Sequence, residues 1–165
     1  MATAKRKAKT RPAAKQAARK SPPARRPVRS KARLETSRPR KQTFVASHLD
    51  ESDFKQGLRS YAKYRDLGIA AATNGLAQAH VIRLIPPCDP AEVSKRHFHD
   101  VEFQMIYVLK GWMKGEYEGA GVVTMREGSC WLQPPRIKHT VLDYSDDCEL
   151  LEIIIPADFD TVTLD

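Results

Sequence analysis

The sequence predicts an all-β domain, a sandwich or barrel of short antiparallel strands, carried behind a basic and disordered N-terminal arm. Two observations carry this reading. From about Thr43 apolar and polar residues alternate in short runs bounded by Gly, Pro and Asp, the pattern of half-buried strands. Before that point, residues 1–42 hold 16 of the 28 Lys and Arg against one acid, Glu35, and no aromatic residue.

The arm lacks the apolar surface that would offset the entropy of ordering it, so residues 1–42 are expected to be disordered and residues 43–165 to form the domain. Charge divides along the same line. The 12 basic and 19 acidic side chains of residues 43–165 make the domain acidic, so the alkaline pI belongs to the arm. A flexible polycation binds nucleic-acid phosphates non-specifically by releasing counterions, and any nucleic-acid contact is assigned to residues 1–42.

Within the domain, residues 50–57 are expected to form one short helix capped by Asp50 or Ser52. Strands are expected at residues 60–66 and 78–85, the second stopped by Pro86-Pro87. Further strands are expected at 97–99, 104–109, 111–118, 122–126, 130–132, 140–144 and 149–155, each rich in β-branched or aromatic residues. Many short strands in close succession imply a sandwich or a barrel such as a jelly roll. Apolar runs such as residues 150–155 fall far short of the roughly 20 needed for a membrane span. Three cysteines at irregular spacing suit a reducing, cytoplasmic location, and Cys130 and Cys148 read as buried thiols.

The chemistry gathers on histidine. His97 and His99 stand at i and i+2, which on a strand point to one face and can share an ion. Gln104 follows five residues after His99, and His139 comes later on another strand. His48 and His80 stand alone and read as solvated or hydrogen-bonded side chains.

This spacing resembles the paired motifs of the cupin superfamily. In the first, His97-x-His99, four residues, Gln104, six residues and Gly111 fit, with Ala91 in place of the leading Gly. In the second, Gly128, Pro134, His139 and Asp143 keep the spacing, with Arg136 replacing a Gly and Asp143 an Asn. The resemblance implies a double-stranded β-helix, the jelly-roll barrel also called RmlC-like, with one divalent metal held by His97, His99, Gln104 and His139. Cupins usually place Glu where Gln104 stands. If Gln104 coordinates it does so through its amide oxygen, which leaves the ion its full double charge. Glu102 breaks the motif's spacing to Gly111 and is not expected to take over. Imidazole donors suit Fe, Zn or Ni, and loss of the carboxylate disfavours Mn.

The function expected is that of a small metalloenzyme of oxygenase, isomerase or lyase type acting on a small oxygenated acid or carbonyl compound. The alternative is a non-catalytic ligand-binding or regulatory module whose arm contacts nucleic acid. Arg136, before His139, and Tyr107 are candidate substrate-binding residues, although Tyr107, Trp112, Tyr117, Trp131 and Tyr144 read first as packing aromatics. A homodimer is expected from the resemblance.

Overall fold

The computed structural model describes residues 40–57 and 59–164. The predicted disordered arm lies outside the described residues except for positions 40–42, where contact with the domain already begins. Arg40 Nη1 donates to the Asn74 carbonyl at 2.9 Å, and Asn74 Nδ2 donates to the Lys41 carbonyl at 3.3 Å.

Among the described residues eleven strands form: β1 (Lys55–Gln56), β2 (Ala62–Asp66), β3 (Gln78–Leu84), β4 (His97–Asp100), β5 (Phe103–Lys110), β6 (Trp112–Tyr117), β7 (Gly121–Arg126), β8 (Cys130–Leu132), β9 (His139–Tyr144), β10 (Glu149–Ile155) and β11 (Asp160–Thr163). They form a six-stranded sheet in the order β1-β2-β3-β10-β5-β8 and a five-stranded sheet in the order β11-β4-β9-β6-β7. Every pairing is antiparallel. This is the double-stranded β-helix, and its core forms where alternate residues of both sheets meet: Ile106, Val108, Met113, Tyr117, Leu150 and Ile154 are buried.

The expected helix at residues 50–57 shrinks to a single 3-10 turn at Glu51–Asp53, with the Asp50 carboxylate accepting from Ser52 N. One turn has little stability of its own. Tertiary contacts take the rest of the segment, since Phe54 is buried beneath the Arg83 guanidinium and Lys55–Gln56 pairs with β2. Two further one-turn helices, α1 (Ile69–Ala72) and α2 (Pro90–Val93), and the final strand β11 were not anticipated. One turn carries no readable periodicity, and Asp160–Thr163 lacks an apolar run.

Cys148 is fully buried, and burial pushes its thiol up to about 12. Cys130, by contrast, is exposed. It lies on the edge strand β8, where Trp131 turns inward and Cys130 and Leu132 turn out with nothing covering them. Gly111, the closing residue of the first motif, has φ of 68° in the β5–β6 turn, and a Cβ there would collide with Ser145 Oγ and the Asp147 carboxylate. Only glycine meets both demands. No helix among the described residues is long and apolar enough to cross a membrane.

Candidate metal centre

The imidazoles meet because of strand register. His97 and His99 alternate along β4 with Phe98 between them, and His139 on β9 stands directly across from His97. The ring centroids of His97 and His139 are 4.3 Å apart, and the potential ligand atoms of all three histidines lie within 4.8 Å of one another.

Each imidazole is held at Nδ1. His97 Nδ1 donates to the Lys95 carbonyl at 2.8 Å and His139 Nδ1 to the Ile137 carbonyl at 2.9 Å. His99 Nδ1 meets Thr161 Oγ1 at 2.9 Å, its directly opposed neighbour on β11. A carbonyl can only accept, so in His97 and His139 Nδ1 carries the proton and Nε2 keeps its lone pair. This is how outer partners usually orient metal-binding histidines. Tyr117, opposite His139 on β6, stacks on it with ring planes 11° apart.

Burial also keeps the rings neutral. It pushes His97 down to about 3 despite the Lys95 carbonyl, and His99 down to about 4 despite the pull of the Glu152 carboxylate. His139 is lowered by the same burial, opposed by the Ile137 carbonyl and Glu152. Near neutral pH all three therefore present unprotonated nitrogens, the form a metal requires.

Gln104 comes from the other sheet and is 1% exposed. Its Nε2 donates to Glu152 Oε1 at 2.6 Å, and its Oε1 accepts from Gln133 Nε2 at 2.9 Å. Glu152 in turn takes a bond from His80 Nε2 at 2.6 Å on its second oxygen. Burial alone would raise the Glu152 carboxyl, but His80, Gln104 and His99 outweigh it and hold it below the usual range. The amide at position 104 now has a physical explanation. A second carboxylate there would face that of Glu152 at hydrogen-bond distance, whereas an amide can donate to it. Glu102 lies exposed in the bend between β4 and β5, outside either strand.

Gln133 was not anticipated. Trp131 Nε1 donates to its Oε1 at 3.4 Å, which turns its Nε2 toward both Gln104 Oε1 and His139 Nε2, the latter at 3.0 Å. A hydrogen-bonded chain thus runs from His80 through Glu152, Gln104 and Gln133 to His139. The signal for Glu152 was present in the strand, since it sits between buried Leu150 and Ile154 on the inward parity of β10. Its partners were not legible, because they depend on the pairing of β10 with β3 and β5. His80 is hydrogen-bonded as expected, and His48 is exposed.

The three histidines, Gln104, Gln133 and Glu152 open on one cavity of about 320 Å³, walled by Tyr61, Tyr64, Tyr117, Trp131 and Phe159 among other residues. Tyr107 and Arg136 do not line it. Tyr107 is 38% exposed on the outer face, and Arg136 pairs with Asp100 at 3.3 Å and covers the Phe98 ring.

Arg136 nonetheless occupies a telling place, because its φ of 61° is left-handed where the cupin motif has Gly. That conformation costs a non-glycine residue about 1–2 kcal/mol. The exposed ion pair offsets about 0.2–1 kcal/mol of this, and the stacking about 0.5–1 kcal/mol. Arg136→Gly is therefore expected to change stability by less than about 1 kcal/mol in chemical denaturation. A loss above about 2 kcal/mol would show that the side chain itself holds the turn.

Comparison with known proteins agrees with this geometry. Residues 88–154 match the family model of the Cupin domain. No curated protein matches the chain. Among solved structures, KdgF from Halomonas sp. superposes with a TM-score of 0.52 at 17% identity, over 67% of this chain and 94% of that one. The polyketide cyclase RemF from Streptomyces resistomycificus gives 0.55 at 16% identity, over 73% and 87%. Oxalate decarboxylase from Bacillus subtilis gives 0.54 at 18% identity over 76% of this chain, which spans only 34% of that larger one. At such identities the likeness is one of fold. Residues 88–154 thus match a Cupin domain, and the two-sheet barrel that carries the converging histidines has the fold of the cupin superfamily.

Proposed function

We propose that the protein is a small metal-dependent enzyme in which His97, His99 and His139, with Gln104 as fourth donor, hold one divalent transition metal. The observation that carries the reading is the meeting of three neutral imidazoles, each tied at Nδ1, whose potential ligand atoms lie within 4.8 Å of one another in a largely apolar cavity. When bound, such an ion acidifies water and polarises a carbonyl or enolate oxygen. Oxygenase, isomerase or lyase chemistry on a small oxygenated acid or carbonyl compound fits that capacity. Fe, Zn or Ni suits the donors better than Mn.

The chain's own residues supply the rest. Gln133 donates to His139 Nε2, so a metal takes that nitrogen only as the Gln133 amide moves away, and the same movement frees Gln104 Oε1. Glu152 orients Gln104 by accepting from its Nε2, which leaves the amide oxygen facing the imidazole side. The aromatic walls exclude water around a bound ligand.

One observation favours the non-catalytic alternative, a small-ligand-binding or regulatory module. Glu152 is the carboxylate on the cavity wall and both of its oxygens are engaged, so it is a poor general base as placed. For either role the domain is expected to work as a cytoplasmic homodimer, and nucleic-acid contact is assigned to the arm, as its charge suggests.

Elemental analysis of untagged protein tests the reading. Near-stoichiometric iron, zinc or nickel, removed by chelator and restored on adding the ion, is the expected result. A redox-active metal favours oxygenase chemistry, and zinc favours isomerase, lyase or binding roles. Protein that neither carries nor takes up a divalent ion would sink the proposal.

A further inference from the structure

We infer that Arg59 is an anion anchor, and that the cavity takes a small organic carboxylate whose charged end meets this guanidinium while its apolar body lies against the aromatic wall. The inference deepens the metal-dependent reading and rests on it for the position of the reacting end.

Arg59 lines the same cavity as the three histidines. Its Nη2 is buried and has no hydrogen-bond partner among the described residues. Arg83 pairs with Glu51 and Glu149, Arg96 with Glu116 and Arg136 with Asp100, and Arg65, whose Nε is likewise unpaired, bonds Ser47 through Nη1 and does not line the cavity. A buried donor left unpaired costs about 1–3 kcal/mol, more when charged, so its persistence calls for a ligand that completes it. The carboxylate of Glu152 does not serve, since its oxygens are held by His80 and Gln104 at 2.6 Å each. The cavity wall therefore carries a guanidinium with an unpaired buried nitrogen, and its charge is felt by His97, His99 and His139 alike.

The fold builds this position deliberately tight. Gln56 Nε2 donates to the Arg59 carbonyl at 2.7 Å and to the Ala62 carbonyl at 3.2 Å, and Ala62 N donates to the Arg59 carbonyl at 3.2 Å. Gly57 lies so close to the Tyr64 ring that a Cβ there would strike it. The segment between β1 and β2 is thus pinned over the cavity. A planar guanidinium pairs best with a carboxylate, through two parallel hydrogen bonds. Tyr61, Tyr64, Tyr117, Trp131 and Phe159 offer rings and few polar atoms, which suits an acid with an aromatic or branched body rather than a sugar or a phosphate.

Calorimetric titration with benzoate, acetate and benzyl alcohol tests the anchor, on metal-loaded and on chelated protein. Benzoate should bind at least ten-fold more tightly than either benzyl alcohol, which lacks the charge, or acetate, which lacks the ring. Arg59→Gln should lose ten-fold or more for benzoate while leaving benzyl alcohol unchanged, and Arg59→Lys should fall between. Circular dichroism checks that the variants are folded, and the three-ligand comparison on the unaltered protein needs no variant. Benzoate binding no tighter than benzyl alcohol, or undiminished in Arg59→Gln, overturns the anchor. Arg59-dependent binding by chelated protein supports it even if no metal is ever found. Metal uptake without Arg59 dependence overturns it and leaves the metal proposal standing.

Discussion

His139→Ala is expected to abolish stable metal binding, the largest effect of any single substitution in the centre. His97 and His99 come from one short strand, and His139 is the imidazole that a second strand contributes across from them. Without it, the ion keeps two nitrogens from β4 and an amide oxygen, and water enters on the β9 side. The loss should exceed the roughly 10–100-fold expected from removing an outer partner. Thr161→Val, which deletes the oxygen that orients His99, provides that smaller scale on the same protein. Gln104→Ala should weaken binding less than His139→Ala, because water can replace an amide oxygen. Competition against a chelator ranks the four proteins, with circular dichroism to show that loss of the Tyr117 stack has not unfolded the barrel. Equal affinity in His139→Ala and the unaltered protein would refute the three-imidazole centre.

The second large effect is on acid stability. In the metal-free protein, stability is expected to fall steeply as pH drops from about 6.5 toward 4. In the unfolded chain a histidine takes up its proton near pH 6.5. Burial holds His97 down to about 3 and His99 down to about 4, and lowers His139 as well. Between these limits the unfolded chain binds more protons than the folded one, so stability rises with pH and is lost as pH falls. Each unit of difference is worth about 1.4 kcal/mol, so the two histidines together cost several kcal/mol at most, less whatever water penetration screens. Glu152 continues the trend lower down. Its depressed carboxyl contributes stability above the unfolded value of 4.5 that disappears as pH falls through the folded one. Urea midpoints of chelated protein at pH 7.5, 6.0 and 5.0 measure the slope. A flat profile would mean that the imidazoles are charged or solvated in the fold, and His97→Asn should flatten it in part.

Part of this centre was legible before any fold was known. Strand parity placed His97 and His99 on one face, and motif spacing brought in Gln104 and His139. Such features are local, or follow a family spacing that includes its turns. Gly111 shows the same kind of legibility, since its turn demands a left-handed residue. Arg136 does so in reverse, adopting the backbone of the glycine it replaces.

The sequence alone determined the contrast in charge between residues 1–42 and 43–165, the all-β class, most strand positions and the meeting of the three histidines, because charge and side-chain periodicity are written residue by residue. Tertiary structure decided what surrounds the triad. Thr161 reaches His99 only because β11, too polar to announce itself, pairs with β4. His80, Glu152, Gln104 and Gln133 form one chain only because β10 lies between β3 and β5 while β8 borders β5. Arg59 enters the cavity only because the β1–β2 turn folds over it. A strand's sequence says which side chains face inward, but the partners they meet there are set by which strands pair and in what register, and that is a property of the assembled barrel.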